Sequence, residues 1–425
     1  MNPELAGFPR RRVIWSHYFM SFSWSLGLWA AVPVIPILSL RLHENIAMAG
    51  LVVSIGGGGR FIVSYITGPL LDRFGRRGVG TVGVFIRMVF AFLEGISPTY
   101  VALLGFRFGS GIGTSIWGAA QQTMIADVAT PEDRGRISGR KQGYQQIGAI
   151  IGPVLGGAAW AITGDIRVPF FINGFSKLAC LLTMLFVMAE TRHLSATRET
   201  NPPMTQRPAE ASRSFHSRFS AMSNGIAALA ATGFLYVMIG MFAVNLLRAT
   251  VQDLVLPVYV EEVLGLAESQ LGIIIAAMGV GGLITSFGGG WATDRWGVQA
   301  VLVPGTLMAA GGLLLTAQEP GLVGMVLLAT TLGAAASLVM IGTQAFAIDV
   351  SPRGARGRFF GQTQAAGHFA TLVGPFAIGG IADLFGLAAA FYTIGGIFVL
   401  MAPLGVIMGF IGPRFRARQE LGETV

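Results

Sequence analysis

The chain has 425 residues, of which 53% are hydrophobic and only 12% charged, with a formal net charge of +8. A soluble domain carries about 25% charged residues, so the bulk of the chain is not a water-soluble fold. Cys180 is the single cysteine, which excludes an internal disulfide; no metal-ligand cluster and no nucleophile–base set stands out, so no metal, cofactor or enzymatic activity is expected.

In chain order, apolar runs long enough to cross a bilayer, about 20 residues each, alternate with clumps of charge. Twelve spans are predicted at 14–40, 46–70, 79–96, 99–124, 141–163 and 168–189, then 228–259, 269–292, 299–317, 320–346, 359–382 and 386–411. Few segments alternate with period two, so a membrane β-barrel is not expected. The sixty glycines suit close helix packing in lipid. The first span follows Arg10, Arg11 and Arg12 in the manner of a signal peptide, but its apolar run is too long and lacks a clear cleavage site. "GGGGR" at 56–60 is not a phosphate loop, because no Lys-Ser/Thr follows and it lies inside a span. The fold class expected is all-α integral membrane, divided into 1–189, a polar linker at 190–227, and 228–425.

Charge placement sets the expected orientation. With both termini cytoplasmic, only Arg41 and Arg167 fall outside and five basic residues fall well within spans, leaving 22 of the 29 Lys and Arg on the cytoplasmic side. The basic excess then reads as topology and contact with anionic lipid, not as nucleic-acid binding.

"GPLLDRFGRR" (68–77) and "GWATDRWG" (290–297) interrupt the apolar runs with one charged pattern, and Asp72 and Asp294 stand 222 residues apart. The same offset pairs Gly75 with Gly297, Asp127 with Asp349, Arg136 with Arg358, and Gly152-Pro153 with Gly374-Pro375. Parallel repeats of six spans are a transporter signature, with cargo bound near the midplane between the halves.

These stretches resemble the major facilitator superfamily over nearly the whole chain. "GPLLDRFGRR" is similar to its G-x-x-x-D-R-x-G-R-R loop motif, "LLGFRFGSGIG" (103–113) to its fourth-helix motif through Arg107, and "GAIIGPVLGG" (148–157) to its fifth-helix export motif. "LGLWAAVPVIP" (26–36) resembles a first-helix motif of the 12-helix drug–proton antiporters. The resemblance implies a gating latch formed by Gly68, Asp72, Arg73, Gly75, Arg76 and Arg77, with Asp294 and Arg295 as the weaker copy, since Val298 and Gln299 replace two arginines. Asp72 is expected to accept N–H bonds from a facing helix N-terminus. The plain alternative is that these loops only fix topology. Gly148, Gly152 and Gly156 lie on one helix face and predict close packing, with Pro153 a weak point; Gly374 and Pro375 repeat this, though Ala370 stands where the first half has Gly148.

A charge at bilayer depth costs roughly 2.5–3.5 kcal/mol or more, so each one should face a cavity or a partner. The candidates for coupling or cargo contact are Arg60, Glu94, Arg107, Arg248, Asp253 and His368. Arg87 and Glu94 are seven apart, and an internal ion pair is the structural alternative for them. Arg107 is favoured as functional by its motif. Asp253 and Glu94 are the acids deep enough to carry a proton, and Asp253 is preferred. On an α-helix Asp253 lies about 140° from Arg248, so the two are not expected to stack. The first span departs from the antiporter pattern, having no acid between Val13 and Leu40. With five basic residues against two acidic ones inside spans, an organic anion or neutral amphipath suits the interior better than a cation.

The leading expectation is a secondary transporter in the inner membrane, multi-pass and monomeric, exporting a small organic molecule in exchange for protons. Coupled uptake of an organic anion and a transport-inactive receptor or scaffold are the alternatives.

Overall fold

The computed structural model describes residues 9–43, 45–129, 133–191, 233–350 and 356–420. The side chains of some helical residues, Asp72, Asp294, Asp349 and Arg358 among them, lie outside the described set, as does most of the linker. In chain order the helices are α1 (Arg10–Ala31), α2 (Val34–Leu42), α3 (Ile46–Phe74), α4 (Arg76–Gly95), α5 (Tyr100–Val128), α6 (Arg134–Thr163) and α7 (Val168–Phe186). The second set is α8 (Phe234–Leu246), a π-helix (Leu247–Val255), α9 (Leu256–Glu262), α10 (Glu268–Trp296), α11 (Gln299–Thr316), α12 (Leu322–Val350), α13 (Arg356–Phe385) and α14 (Leu387–Glu420). All twelve predicted spans are present as helices, and among the described residues eleven are long and apolar enough to cross a membrane. The exception is α5, which carries Arg107, Gln121 and Gln122. Large apolar side chains such as Val101, Ile162 and Leu384 lie exposed on the perimeter, as a lipid-facing surface requires.

Two spans are irregular for local reasons. Pro33 and Pro36 lack N–H donors, and α1 stops at Ala31 before α2 resumes at Val34. In the seventh span, Leu256 N–H donates to the Val251 carbonyl, five residues back. Pro257 has no N–H and crowds the carbonyl four residues earlier, that of Asp253, which explains the wider turn. Bonding of the i→i+5 kind brings residues five apart over one another. The expected 140° between Arg248 and Asp253 is therefore corrected: both lie within the π-helix, on neighbouring turns of one face, and their charges interact.

The repeat seen in the sequence is a repeat of packing. α1 packs on α6, α3 on α5, α4 on α5 and α7; correspondingly α8 packs on α13, α10 on α12, and α11 on α12 and α14. The two halves meet along two seams, α3 against α13 and α6 against α10. The motif glycines have a backbone reason to recur. Gly75 ends α3 at φ +87° and Gly297 ends α10 at φ +86°, a region that side chains strain to enter. A Cβ at Gly75 would also stand 2.8 Å from the Glu190 carboxylate, whereas one at Gly297 meets only Gln299, at 3.9 Å. Both Gly→Ala changes should lower stability by about 1–3 kcal/mol through strain. Gly75→Ala should cost the more, and equal melting temperatures for the two purified variants would contradict this.

Candidate functional site

At the end of the molecule that carries residues 75, 128 and 190, the loop arginines grip their own half. Glu190 accepts from the N–H groups of Arg76 and Arg77, each at 3.0 Å, and so caps α4 where its dipole favours an anion. Arg76 Nε lies 3.4 Å from Asp127, and Thr191 donates to the same carboxylate at 2.8 Å. Arg77 donates to the carbonyls of Met184 and Leu185 at the end of α7. Arg10 pairs with Asp133. Arg73 lies over the Phe74 ring and Arg295 over that of Trp291. Gly68 faces open space. The side chains of Asp72 and Asp294, to which the sequence assigns the latch, lie outside the described residues.

The opposite end is where the described contacts between halves concentrate. Gly50 abuts the Pro375 backbone, Gly379 that of Ile46, Gly157 that of Glu268, and Gly272 that of Pro153. Gln146 donates to the Gly279 carbonyl at 3.0 Å. Arg41 meets Glu261 at 3.3 Å. The Asp383 carboxylate accepts from the N–H groups of Ile46 at 2.8 Å and Ala47 at 2.9 Å. The fifth-helix glycines supply close approach on both faces of α6. A Cβ at Gly148 or Gly152 would stand 2.5 Å from the α1 carbonyls of Phe22 and Leu26, and one at Gly156 would clash with Ala30. Gly374 fits against Leu246 and Thr250 of the seventh span.

Between the two ends lie the ionisable residues of the spans, and the structure divides them into two groups. The first is locked inside one half. Glu94 is fully buried, with one carboxylate oxygen 3.7 Å from Arg87 and the other 3.6 Å from Arg107. Ser110 donates to Glu94 at 2.5 Å and accepts from Arg87 at 2.9 Å. Lys177, also buried, donates to the Trp24 carbonyl at 2.7 Å and sits 4.6 Å above that indole ring. Arg87 and Glu94 thus brace α4 against α5 through Ser110 and Arg107, and Lys177 separately ties α7 to α1. Glu94, a candidate proton carrier on sequence grounds, is already shared by two guanidiniums.

The second group faces the partner half. Asp253 projects from the π-helix with Oδ1 buried and without a hydrogen-bond partner. It interacts electrostatically with Arg248 of its own helix and with Arg107 and Arg60 of the other half. Among the described residues Arg60 donates to the Gly56 carbonyl, at 3.3 Å, and it also feels Arg107 and Arg87. Arg107 donates to the Val52 carbonyl at 3.4 Å, so it touches α3 as well as Glu94. His368 of α13 is exposed and within reach of Arg60. Arg60 and Arg248 have no acid within ion-pair distance among the described residues. The arrangement therefore places one unsatisfied carboxylate among three guanidiniums where the halves meet. A proton or a bound molecule arriving there changes its balance strongly, because such groups are poorly screened.

The sequence missed Glu190, Asp127, Gln146, Glu261 and Asp383 as contact residues. Their signal was only an acid or amide near a span end, which a solvated loop also shows.

The Major Facilitator Superfamily model matches residues 18–254 and 238–424. Multidrug resistance protein 1 of Bacillus subtilis is 30% identical over 182 residues, 43% of this chain and 46% of that protein, so the chain matches about half of that relative's length. The class C tetracycline resistance protein of Escherichia coli is 26% identical over 69% of this chain and 70% of its own. A bacterial homologue of the human lysosomal transporter Spinster, solved in an inward-facing conformation, superposes with a TM-score of 0.71 at 16% identity, covering 97% of each chain. The D-xylose–proton symporter gives 0.68 at 18% identity over 93% of this chain and 97% of its own.

Proposed function

Because the chain belongs to the Major Facilitator Superfamily, and is thus a multi-pass membrane transporter and not an enzyme, we propose that it exports a small organic molecule by alternating access in exchange for protons. The observation that carries the reading is Asp253: a carboxylate with a buried, unpartnered oxygen, set among arginines of both halves. A carboxyl that must alternate between charged and neutral needs such a place, since a permanent ion pair would hold it charged. The names of the drug-resistance relatives support export. With both termini in the cytoplasm of a cell bounded by an inner membrane, the sealed end, where the described contacts between the halves concentrate, faces outward. Two halves, 1–189 and 228–425, then rock about the two seams, with the intervening segment as linker, each chain working as a monomer.

Cells producing the protein should accumulate less tetracycline, or less of one member of a panel of structurally varied drugs, than cells lacking it. A proton uncoupler should abolish the difference. Greater accumulation in producing cells supports the second reading, coupled uptake of an organic anion. One specific observation favours that reading: Arg60 and Arg248 offer two guanidiniums to cargo against the single carboxylate of Asp253. No difference for any compound counts against both.

A further inference from the structure

We infer that Asp383 is a positioning residue of the transport cycle, holding the sealed end shut by capping the N-terminus of α3 from across the seam. The inference rests on the alternating-access reading. The bookkeeping of α3's first N–H groups is explicit. Asn45 takes the Met48 N–H with its own side chain, at 3.1 Å. That leaves the N–H groups of Ile46 and Ala47, and both donate to Asp383 of α13, one to each carboxylate oxygen. An anion at that point also meets the positive end of the helix dipole, and hydrogen bonds to a charged acceptor are stronger than neutral ones.

These bonds exist only while α3 and α13 are in contact at this end, so they favour one conformer over the other. Nearby, the backbone approaches of Gly50 to Pro375 and Gly379 to Ile46 fix how closely the helices meet. The second seam is built differently. There Gln270 of α10 accepts from the N–H of its own N-cap residue, Ala267, at 2.9 Å, and no carboxylate of α6 is described at that end. The residue at the corresponding end of α6 is apolar, in "GGAAWAITG" (156–164). The carboxylate cap thus belongs to one seam, with the exposed Arg41–Glu261 pair as its neighbour, while across the second seam Gln146 donates to the Gly279 carbonyl and the glycine approaches supply the rest. Asp383 is exposed, so water and salt compete for it when the seam parts. A weak, reversible latch suits a cycle that must open many times.

The test is a distance distribution between spin labels at Asp165→Cys and Gln318→Cys, one in each half at the sealed end, in a Cys180→Ala background in lipid nanodiscs. Asp383→Asn, which keeps the shape but removes the charge and one acceptor, should raise the fraction with long distances by about threefold to tenfold. Asp383→Glu should recover part of the wild-type distribution. Asn45→Ala removes the helix's own cap without touching the seam, and should lower the melting temperature while leaving the distribution in place. An Asp383→Asn variant that melts lower but keeps the wild-type distribution reduces Asp383 to a structural cap and overturns the inference, as does a variant indistinguishable from wild type in both measurements. No cargo or proton gradient enters the measurement, so a shift in distances without any transport would count against the transport reading alone.

Discussion

Asp253→Asn is expected to reduce proton-driven transport to the rate of protein-free vesicles, while cargo still exchanges down its own gradient. The substitution preserves volume and removes both the carboxylate charge and the ability to take up and release a proton. Oδ1 of Asp253 is buried and lacks a partner, so no described hydrogen bond is broken. The surrounding guanidiniums of Arg248, Arg107 and Arg60 belong to both halves, so their distances to Asp253 change as the halves rock. On the proposed reading that change would make protonation depend on conformation, and it would disappear with the carboxyl. Counterflow of labelled cargo in proteoliposomes, with and without a pH gradient, reads both quantities. Gradient-driven transport at the wild-type rate in the variant would remove Asp253 from the coupling role and shift it to Glu94 or His368.

Glu94→Ala should be the most damaging single change to stability. It removes the carboxylate that Arg87 and Arg107 share and leaves Arg87, 1% exposed, with a buried charge and no other acid paired with it among the described residues. Breaking a buried pair from one side costs about 3–5 kcal/mol. The purified variant should melt well below wild type. Replacing both members, Arg87→Met with Glu94→Leu, should restore most of the loss, because a buried pair exchanged for apolar side chains of similar size is close to neutral. Arg107→Ala leaves Arg87 and Glu94 paired, so it should melt near wild type yet lose transport. If Glu94→Ala and wild type melt alike, the brace does not hold the half together.

Much of the architecture was legible because it rests on repetition and on the cost of charge in lipid. The 222-residue offset marked the two halves, and the matched packing of α3 on α5 and α10 on α12 follows from it. Gly75 and Gly297 were found as motif letters, and their shared positive φ gives the reason for the residue type. The list of intramembrane charges pointed to Arg60, Arg107, Arg248 and Asp253, because a charge there must have a cavity or a partner. Sorting that list was beyond the sequence. Whether Arg107 meets Glu94 or Asp253 depends on how α4, α5 and the π-helix cross, and spacing along one helix does not report that. The π-helix was missed because an angle of about 100° per residue assumes α bonding throughout, although Pro257, four residues after Asp253, was a visible warning. Asp383 was missed because an acid next to a span end looks like any solvated charge; its meaning lies in the helix N-terminus brought to it from 336 residues away.

The central claim is that the protonation of Asp253 sets which side of the molecule is open. The most direct measurement is the same label pair, at Asp165→Cys and Gln318→Cys, followed across a pH series from about 5 to 9 in wild type and in Asp253→Asn. The expected result is a distance distribution that changes with pH in the protein carrying Asp253 and stays constant in the Asn variant. The same pH response in both proteins would contradict the claim.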